Sequence, residues 1–285
     1  MKCHSNPFRG HGLEIEALAD TPWPSADPSR VNALLRRCPH ANITPLADAA
    51  DLAREARVAR LSVKDERTRM GVGSFKAFGA AYVIASDAAE GAAAGQTYVT
   101  ASAGNHGVSV AAGAAAFGAN AVIFISETVP ESFAERLRDL GAQVQRSGEA
   151  YEASMTAAQT YVSEAPGQRL LLSDSSWAGY TERPWRLMEG YLALIDEASA
   201  QLPAHPSHVF LQAGVGGFAV AMAAYIRAFW DAQTRIIVVE PEAAPALIAS
   251  IEAGDFVSSQ GPVSCMGRLD CKEPSVFLVI GLCSD

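Results

Sequence analysis

From Leu61 onward, short apolar runs bounded by turn residues alternate with longer stretches of helical periodicity, and this alternation restricts the fold more than any other feature. The runs predicted as strands are Leu61–Val63, Gln96–Thr100, Ala121–Ser126, Gln143–Arg146, Leu170–Leu172, Val209–Gln212 and Arg235–Glu240. Helical periods fall between them, near 75–89, 106–117, 131–140, 149–164, 182–200, 217–231 and 244–253. Strands joined through helices of about ten residues or more run parallel. An α/β fold follows, with open, mainly parallel twisted sheets flanked by helices. Ligands of such sheets sit at the carboxyl ends of the strands, which points to the loops after Val63, Thr100, Leu172 and Gln212. Ahead of this pattern, residues 1 to about 40 predict an irregular Pro- and Arg-rich arm with a short helix over Asp27–Arg37. Ile43 to Leu46 is extended, because the residue before Pro45 avoids the helical region.

The first of these loops leads into Val72-Gly73-Ser74-Phe75-Lys76-Ala77-Phe78-Gly79. Ser74 stands where a helix N-cap belongs, so Lys76 falls in the first helical turn. Uncapped N–H groups and the positive end of the helix dipole oppose an ammonium there, and the apolar neighbours add desolvation. Both effects lower a lysine pKa. Such a lysine is a nucleophile near neutral pH, suited to a Schiff base with a carbonyl substrate or pyridoxal phosphate (PLP). A snorkelling surface lysine is the alternative.

After Thr100 comes Ala101-Ser102-Ala103-Gly104-Asn105-His106-Gly107, a small-residue turn whose free N–H groups suit a carboxylate. Asn105 adds an amide for a ring oxygen, or is simply the cap of the next helix. After Gln212, Ala213-Gly214-Val215-Gly216-Gly217-Phe218-Ala219 again feeds a helix, and its glycines let the backbone approach a phosphate. Gly214, Gly216 and Ala219 also fit the dinucleotide pattern G-x-G-x-x-A, with Glu240 placed as a ribose-binding acid, so a nicotinamide oxidoreductase is a rival. The third loop puts Asp174 directly after a buried strand as a candidate general acid or base, with Trp177 and Tyr180 to wall a pocket. A turn or cap role for Asp174 is the common alternative.

Composition narrows the partners. With 31 acidic against 22 basic residues the net charge is -9, which argues against nucleic acid and anionic membranes. The uncharged run from Val108 to Ile125 is Ala- and Gly-rich, too weakly hydrophobic to insert in a bilayer. Five scattered cysteines make no disulfide framework, and Cys265 and Cys271 have the wrong spacing for a zinc half-site. No metal site is expected. A reduced, cytoplasmic setting fits, and the N-terminus has no apolar segment of the kind a signal peptide needs.

Taken in order, these loops resemble the PLP-dependent enzymes of fold type II, the tryptophan-synthase β and threonine-dehydratase group, and within it most nearly the diaminopropionate ammonia-lyase family. The likeness runs from Asn6-Pro7-Phe8-Arg9 to about Ser275. It is carried by Lys64-Asp65-Glu66, Gly73 to Ala77, Gly104 to Gly107, Asp174 to Tyr180, Gln212 to Gly217, Val239-Glu240-Pro241 and Met266-Gly267-Arg268-Leu269-Asp270-Cys271-Lys272-Glu273-Pro274-Ser275. The resemblance implies that Lys76 holds PLP, that Gly214, Val215, Gly216 and Gly217 cradle its phosphate and that Asn105 bonds its ring 3-hydroxyl. It also implies that Ser102, Ala103, Gly104, Asn105 and His106 receive the substrate carboxylate. The reaction implied is α,β-elimination of L-2,3-diaminopropionate to pyruvate and ammonia, with Lys76 and Asp174 as catalytic groups and a homodimer as the assembly. The family has an aspartate before Gly-Asn-His, acting on the D-isomer; here it is Ala103, which implies activity on the L-isomer. That loop also looks like the serine and threonine dehydratases, whose β-hydroxy amino acids are the runner-up substrates. The implied domains are a large PLP-binding one, residues 1–95 with 201–285, and a small α/β one, 96–200. Relatives continue past the end of this chain, and Val276 to Asp285 does not resemble the matching part of their sequences. A large domain lacking its late strands, an exposed apolar tail and a truncated, inactive relative are therefore also expectations.

Overall fold

The computed structural model describes residues 3–9, 15, 21–262 and 264–277; most of the apolar tail, 278–285, lies outside the described residues. In chain order the elements are α1 (Ser29–Leu35), β1 (Leu46–Asp48), α2 (Ala50–Ala56), β2 (Ser62–Lys64), α3 (Ala80–Ala89), β3 (Thr97–Ala101), α4 (Asn105–Ala116), β4 (Asn120–Ile125), α5 (Glu131–Asp139), β5 (Gln143–Arg146), α6 (Tyr151–Ser163), β6 (Arg169–Leu171), α7 (Glu182–Gln201), β7 (His208–Gln212), α8 (Gly217–Phe229), β8 (Arg235–Val239) and α9 (Ala246–Ala253). Strands β5-β4-β3-β6 form a parallel sheet, with Val99 of β3 opposite Val122 of β4 and Leu171 of β6. Tyr98, Val99, Val122 and Ile123 are buried, as expected of a parallel sheet covered on both faces. Strands β7 and β8 form a separate parallel pair, in register from His208↔Arg235 to Gln212↔Val239. That pair has no further neighbour among the described strands, and Phe210 is 67% exposed on it.

The predicted strand at Leu61–Val63 requires correction. It lies at Ser62–Lys64 and pairs antiparallel with β1, outside both parallel sheets. The extended segment at Pro45 supplies its partner, and Asp65 N–H donates to the Pro45 carbonyl at 2.9 Å.

The predicted helix over 75–89 is broken. A 3-10 turn spans Phe75–Phe78, and α3 begins only at Ala80. Gly79 makes the break because it lies under a side chain of α7: a Cβ there would stand 2.9 Å from the Tyr191 hydroxyl. Helix α7 is the longest described and is buried along Leu187, Met188, Tyr191, Leu192 and Ile195. Its Gly190 lets it press on the same turn, since a Cβ at that position would be 2.1 Å from the Phe78 carbonyl oxygen. The turn that carries Lys76 is thus clamped by backbone contact.

Beneath the clamp lies a polar knot. Arg69, 1% exposed, donates to Glu66, Glu197 and the Thr44 hydroxyl, and Lys64 joins through Glu197. Its guanidinium also lies 4.3 Å from the Phe78 ring centroid. Buried charges of this kind are tolerated only when fully paired, as here.

Candidate active site

Ser74 caps the 3-10 turn as predicted, its hydroxyl accepting from the Lys76 N–H at 3.3 Å. The Lys76 ammonium then points to Asp174, with Nζ 2.8 Å from Oδ2. Both side chains are about four-fifths buried, at 20% and 19% exposure. The rings of Phe75 and Tyr191 lie 5.4 Å and 5.6 Å from the ammonium.

The predicted fall in the lysine pKa is overturned. Burial pulls it down more than any other single influence, but the Asp174 carboxylate and Tyr191 together outweigh burial and hold Lys76 above its ordinary value. Burial alone would raise Asp174, and the Lys76 charge instead holds it below the usual carboxylate range. The pair is an ion pair in which the proton stays on Lys76 and the two charges neutralise each other. Next to it, burial pushes the Tyr191 phenol up to about 12.

The loop from Ser102 to His106 opens α4. Ser102, not Asn105, caps it, its hydroxyl accepting from the N–H groups of Gly104 at 3.2 Å and Gly107 at 3.1 Å. Among the described residues no acceptor is found for the N–H groups of Ala103, Asn105 and His106, and the Asn105 side-chain amide is likewise without one. These are the orphan donors of a helix N-terminus. The His106 ring turns away from this mouth and is buried. Its Nε2 lies 2.8 Å from the Leu172 carbonyl, which can only accept, so Nε2 carries the proton. Burial lowers the His106 pKa and keeps the ring neutral, with Nδ1 buried and unpartnered.

Asp174 sits on a pinned loop. The Tyr180 hydroxyl donates to the Leu171 carbonyl at 2.9 Å and accepts from Ser173 N–H at 3.0 Å. Trp177 stacks on Tyr180 with ring centroids 4.4 Å apart, so these two aromatics brace the loop.

The glycine turn opens α8. Gly216 adopts φ 94, a left-handed conformation that favours glycine, and no side chain caps the helix. The N–H groups of Gly214, Gly216, Gly217, Phe218 and Ala219 have no acceptor among the described residues. The turn and the lysine are neighbours: Phe75 and Phe218 have ring centroids 4.4 Å apart. A Cβ on Gly217 would stand 3.3 Å from Met188 of α7, and one on Gly214 3.0 Å from the Cys271 sulfur. Glu240, the proposed ribose ligand, is spent elsewhere. Its carboxylate accepts from Leu247 and Ile248 N–H at 2.7 Å and 3.0 Å and so caps α9.

Sequence reasoning gave no role to Tyr191, Cys271 or Arg268. The last two lie on a strap, residues 264–277, that crosses the site. The Cys271 thiol meets the Val215 amide, and burial pushes its pKa up to about 11. Arg268 Nη1 donates to the Ala103 carbonyl. The hydroxyls of Ser176 and Ser275 hydrogen-bond at 2.5 Å and fix the far end of the strap. The order of motifs in the sequence hinted at the strap, but nothing local assigned its contacts.

Two strand-to-helix turns with open amides, gathered round a buried lysine–carboxylate pair, are the makings of a site for a phosphorylated carbonyl compound. The chain belongs to the pyridoxal-phosphate dependent enzyme family, whose model matches residues 38–283. It is 32% identical to diaminopropionate ammonia-lyase of Escherichia coli strain K12 over 253 residues, covering 81% of this chain and 63% of that protein. It is 28% identical to mouse L-serine dehydratase/L-threonine deaminase over 216 residues, covering 75% and 62%. A crystal structure of the Escherichia coli ammonia lyase in complex with D-serine matches with a TM-score of 0.87 at 28% identity, over 99% of this chain and 74% of that one. The chain therefore spans a little under two thirds of the length of these curated relatives.

The residues present fit the family's cofactor. A row of amides without protein acceptors among the described residues, in a turn whose glycines leave room for an anion, suits a phosphate, and a lysine within the same cluster suits the carbonyl. Among the described residues no group of His, Cys, Asp and Glu is arranged to hold a metal, and no helix is long and apolar enough to cross a membrane.

Proposed function

We propose that this chain performs PLP-dependent α,β-elimination of L-2,3-diaminopropionate to pyruvate and ammonia. The observation that carries the reading is the Lys76–Asp174 contact of 2.8 Å beside two open helix N-termini. Pyridoxal phosphate, when bound, supplies a carbonyl for amines and an electron sink for the carbanion. The amides of Gly214 and Gly216 to Ala219 would hold its phosphate, with Val215 completing the turn, and the Asn105 amide would meet the ring oxygen. The free amides of Ala103, Asn105 and His106 bind the substrate carboxylate, while Ser102 and Gly104 shape the turn that presents them.

Lys76, as the free amine, would take the Cα proton at Nζ. Asp174 Oδ2 then passes a proton to the departing β-amino nitrogen. The proton that Nζ has gained reaches Oδ2 across their 2.8 Å contact, so the two groups form one relay from Cα to the leaving nitrogen. Tyr191 and the aromatic pair Phe75 and Phe218 exclude water from the lysine. Ala103 offers no carboxylate from the opposite side, so only the L-isomer is expected to react. A β-hydroxy amino acid such as L-serine is the second reading, favoured by the absence of a carboxylate at Ala103 and by the likeness to the mouse dehydratase.

With this reading go two domains, residues 1–95 with 201–285 and residues 96–200. A homodimer follows from the family resemblance. A cytoplasmic location is supported by the free thiols Cys3, Cys38, Cys265 and Cys271.

The test is a visible spectrum of the protein mixed with PLP, followed by separate additions of L- and D-diaminopropionate, L-serine and L-threonine with assay of 2-oxo acid. A band lost in Lys76→Ala, and 2-oxo acid from the L-diamine above all others, are expected. No lysine-dependent band would sink the cofactor assignment, and a band without turnover would leave an inactive relative. Equal turnover of the D- and L-diamines would refute the role given to Ala103.

A further inference from the structure

The strap supplies a charge that the elimination chemistry of Lys76 and Asp174 does not use. Arg268 Nη1 donates to the carbonyl of Ala103, the residue in the middle of the turn that opens α4. The guanidinium lies against that turn: a Cβ on Gly104 would be 3.3 Å from Nη1 and 3.9 Å from Cζ. The Phe133 ring centroid is 5.9 Å from Cζ. Among the described residues no carboxylate pairs with Arg268, whereas Lys76 and Asp174 neutralise each other nearby.

A guanidinium has five N–H donors, and a single bond to a carbonyl leaves most of them free. An unpaired cation therefore stands beside three unpartnered backbone amides at the positive end of a twelve-residue helix. Cation, amides and dipole all favour the same ligand charge. A carbonyl latch alone would need only a neutral donor.

We propose that Arg268 is a specificity-determining residue that binds the α-carboxylate of the amino acid jointly with the turn at Ala103 to His106. This rests on the proposed cofactor reading and adds to it that the carboxylate is recognised by a full positive charge from the strap. The substrate class is thereby an amino acid with a free α-carboxylate. Carboxamides, esters and peptides blocked at that end bind poorly.

The experiment compares L-alanine, which has no β-leaving group, with L-alaninamide on the PLP-loaded protein, each titrated through the shift of the visible band. In the wild type the carboxylate ligand binds more tightly. Arg268→Gln keeps a donor for the Ala103 carbonyl and removes the charge. It is expected to weaken L-alanine roughly 5- to 20-fold and leave L-alaninamide unchanged, with Arg268→Lys recovering part of the loss. Equal weakening of both ligands would make Arg268 a latch and overturn the proposal, as would no change in either. A wild-type protein with no lysine-dependent band would refute the cofactor reading itself and this proposal with it, an outcome seen before any amino acid is added.

Discussion

The Lys76–Asp174 contact is open to a quantitative test in the cofactor-free protein. With about a fifth of each side chain exposed, the pair is mostly but not wholly desolvated. Removing one partner of a fully buried pair costs about 3–5 kcal/mol, because the survivor is an uncompensated charge. Partial exposure, and the rings of Phe75 and Tyr191 near the ammonium, soften this. Lys76→Met and Asp174→Asn are therefore each expected to cost about 2–3 kcal/mol. Removing both leaves no stranded charge, so the double variant should lose about 2 kcal/mol and not the sum, a coupling of about 3 kcal/mol. Urea unfolding of the four proteins at pH 7 measures it.

The pH dependence has a definite sign. Asp174 is held below its ordinary 3.8, so its contribution is complete above about pH 4 and is lost as pH falls through the depressed value. Lys76 is held above its ordinary 10.5, so its contribution is complete below that value and is lost as pH rises through the elevated one. The coupling should be flat from about pH 5 to 9. A value below about 0.5 kcal/mol, or one that fades between about pH 6 and 8, would refute the ion-pair account.

Three further perturbations probe the frame around the site. Gly190→Ala drives a methyl to 2.1 Å from the Phe78 carbonyl oxygen, so α7 must lift off the lysine turn. A loss of about 2–3 kcal/mol in urea unfolding is expected, together with a weaker PLP band. Glu197→Gln removes a carboxylate shared by Arg69 and Lys64. It should cost about 3–5 kcal/mol and leave the position of the visible band unchanged. Glu240→Ala uncaps α9 and should cost about 1 kcal/mol without altering PLP affinity in a spectroscopic titration.

Much of the frame was legible because it rests on local periodicity. Strand β5 falls on its predicted bounds, and helices α5, α6 and α7 begin and end within about two residues of theirs. What escaped depends on contacts distant in sequence. The break at Gly79 is imposed by Tyr191 from α7, and a propensity argument confined to 75–89 cannot see that side chain. The sign of the Lys76 pKa shift turned on Asp174, 98 positions away, and on Tyr191 of α7, which together outweigh the burial that was visible locally. His106 was expected at the carboxylate mouth, and only the fold reveals the Leu172 carbonyl that holds its ring inward. Sequence marked the glycine turn and the Asn105 loop correctly as open backbone, since glycines and small residues at a strand end leave few ways to satisfy those amides.

The ribbon of β7 and β8 has a mechanical consequence for the glycine turn at its end. That turn is anchored on one side to α8 and on the other to a ladder only two strands wide, with Phe210 projecting into solvent. An anion gripped there is held at the junction between the end of β7 and the start of α8. The load on those amides is therefore shared between the β7–β8 ladder, in register from His208↔Arg235 to Gln212↔Val239, and the thirteen residues of α8.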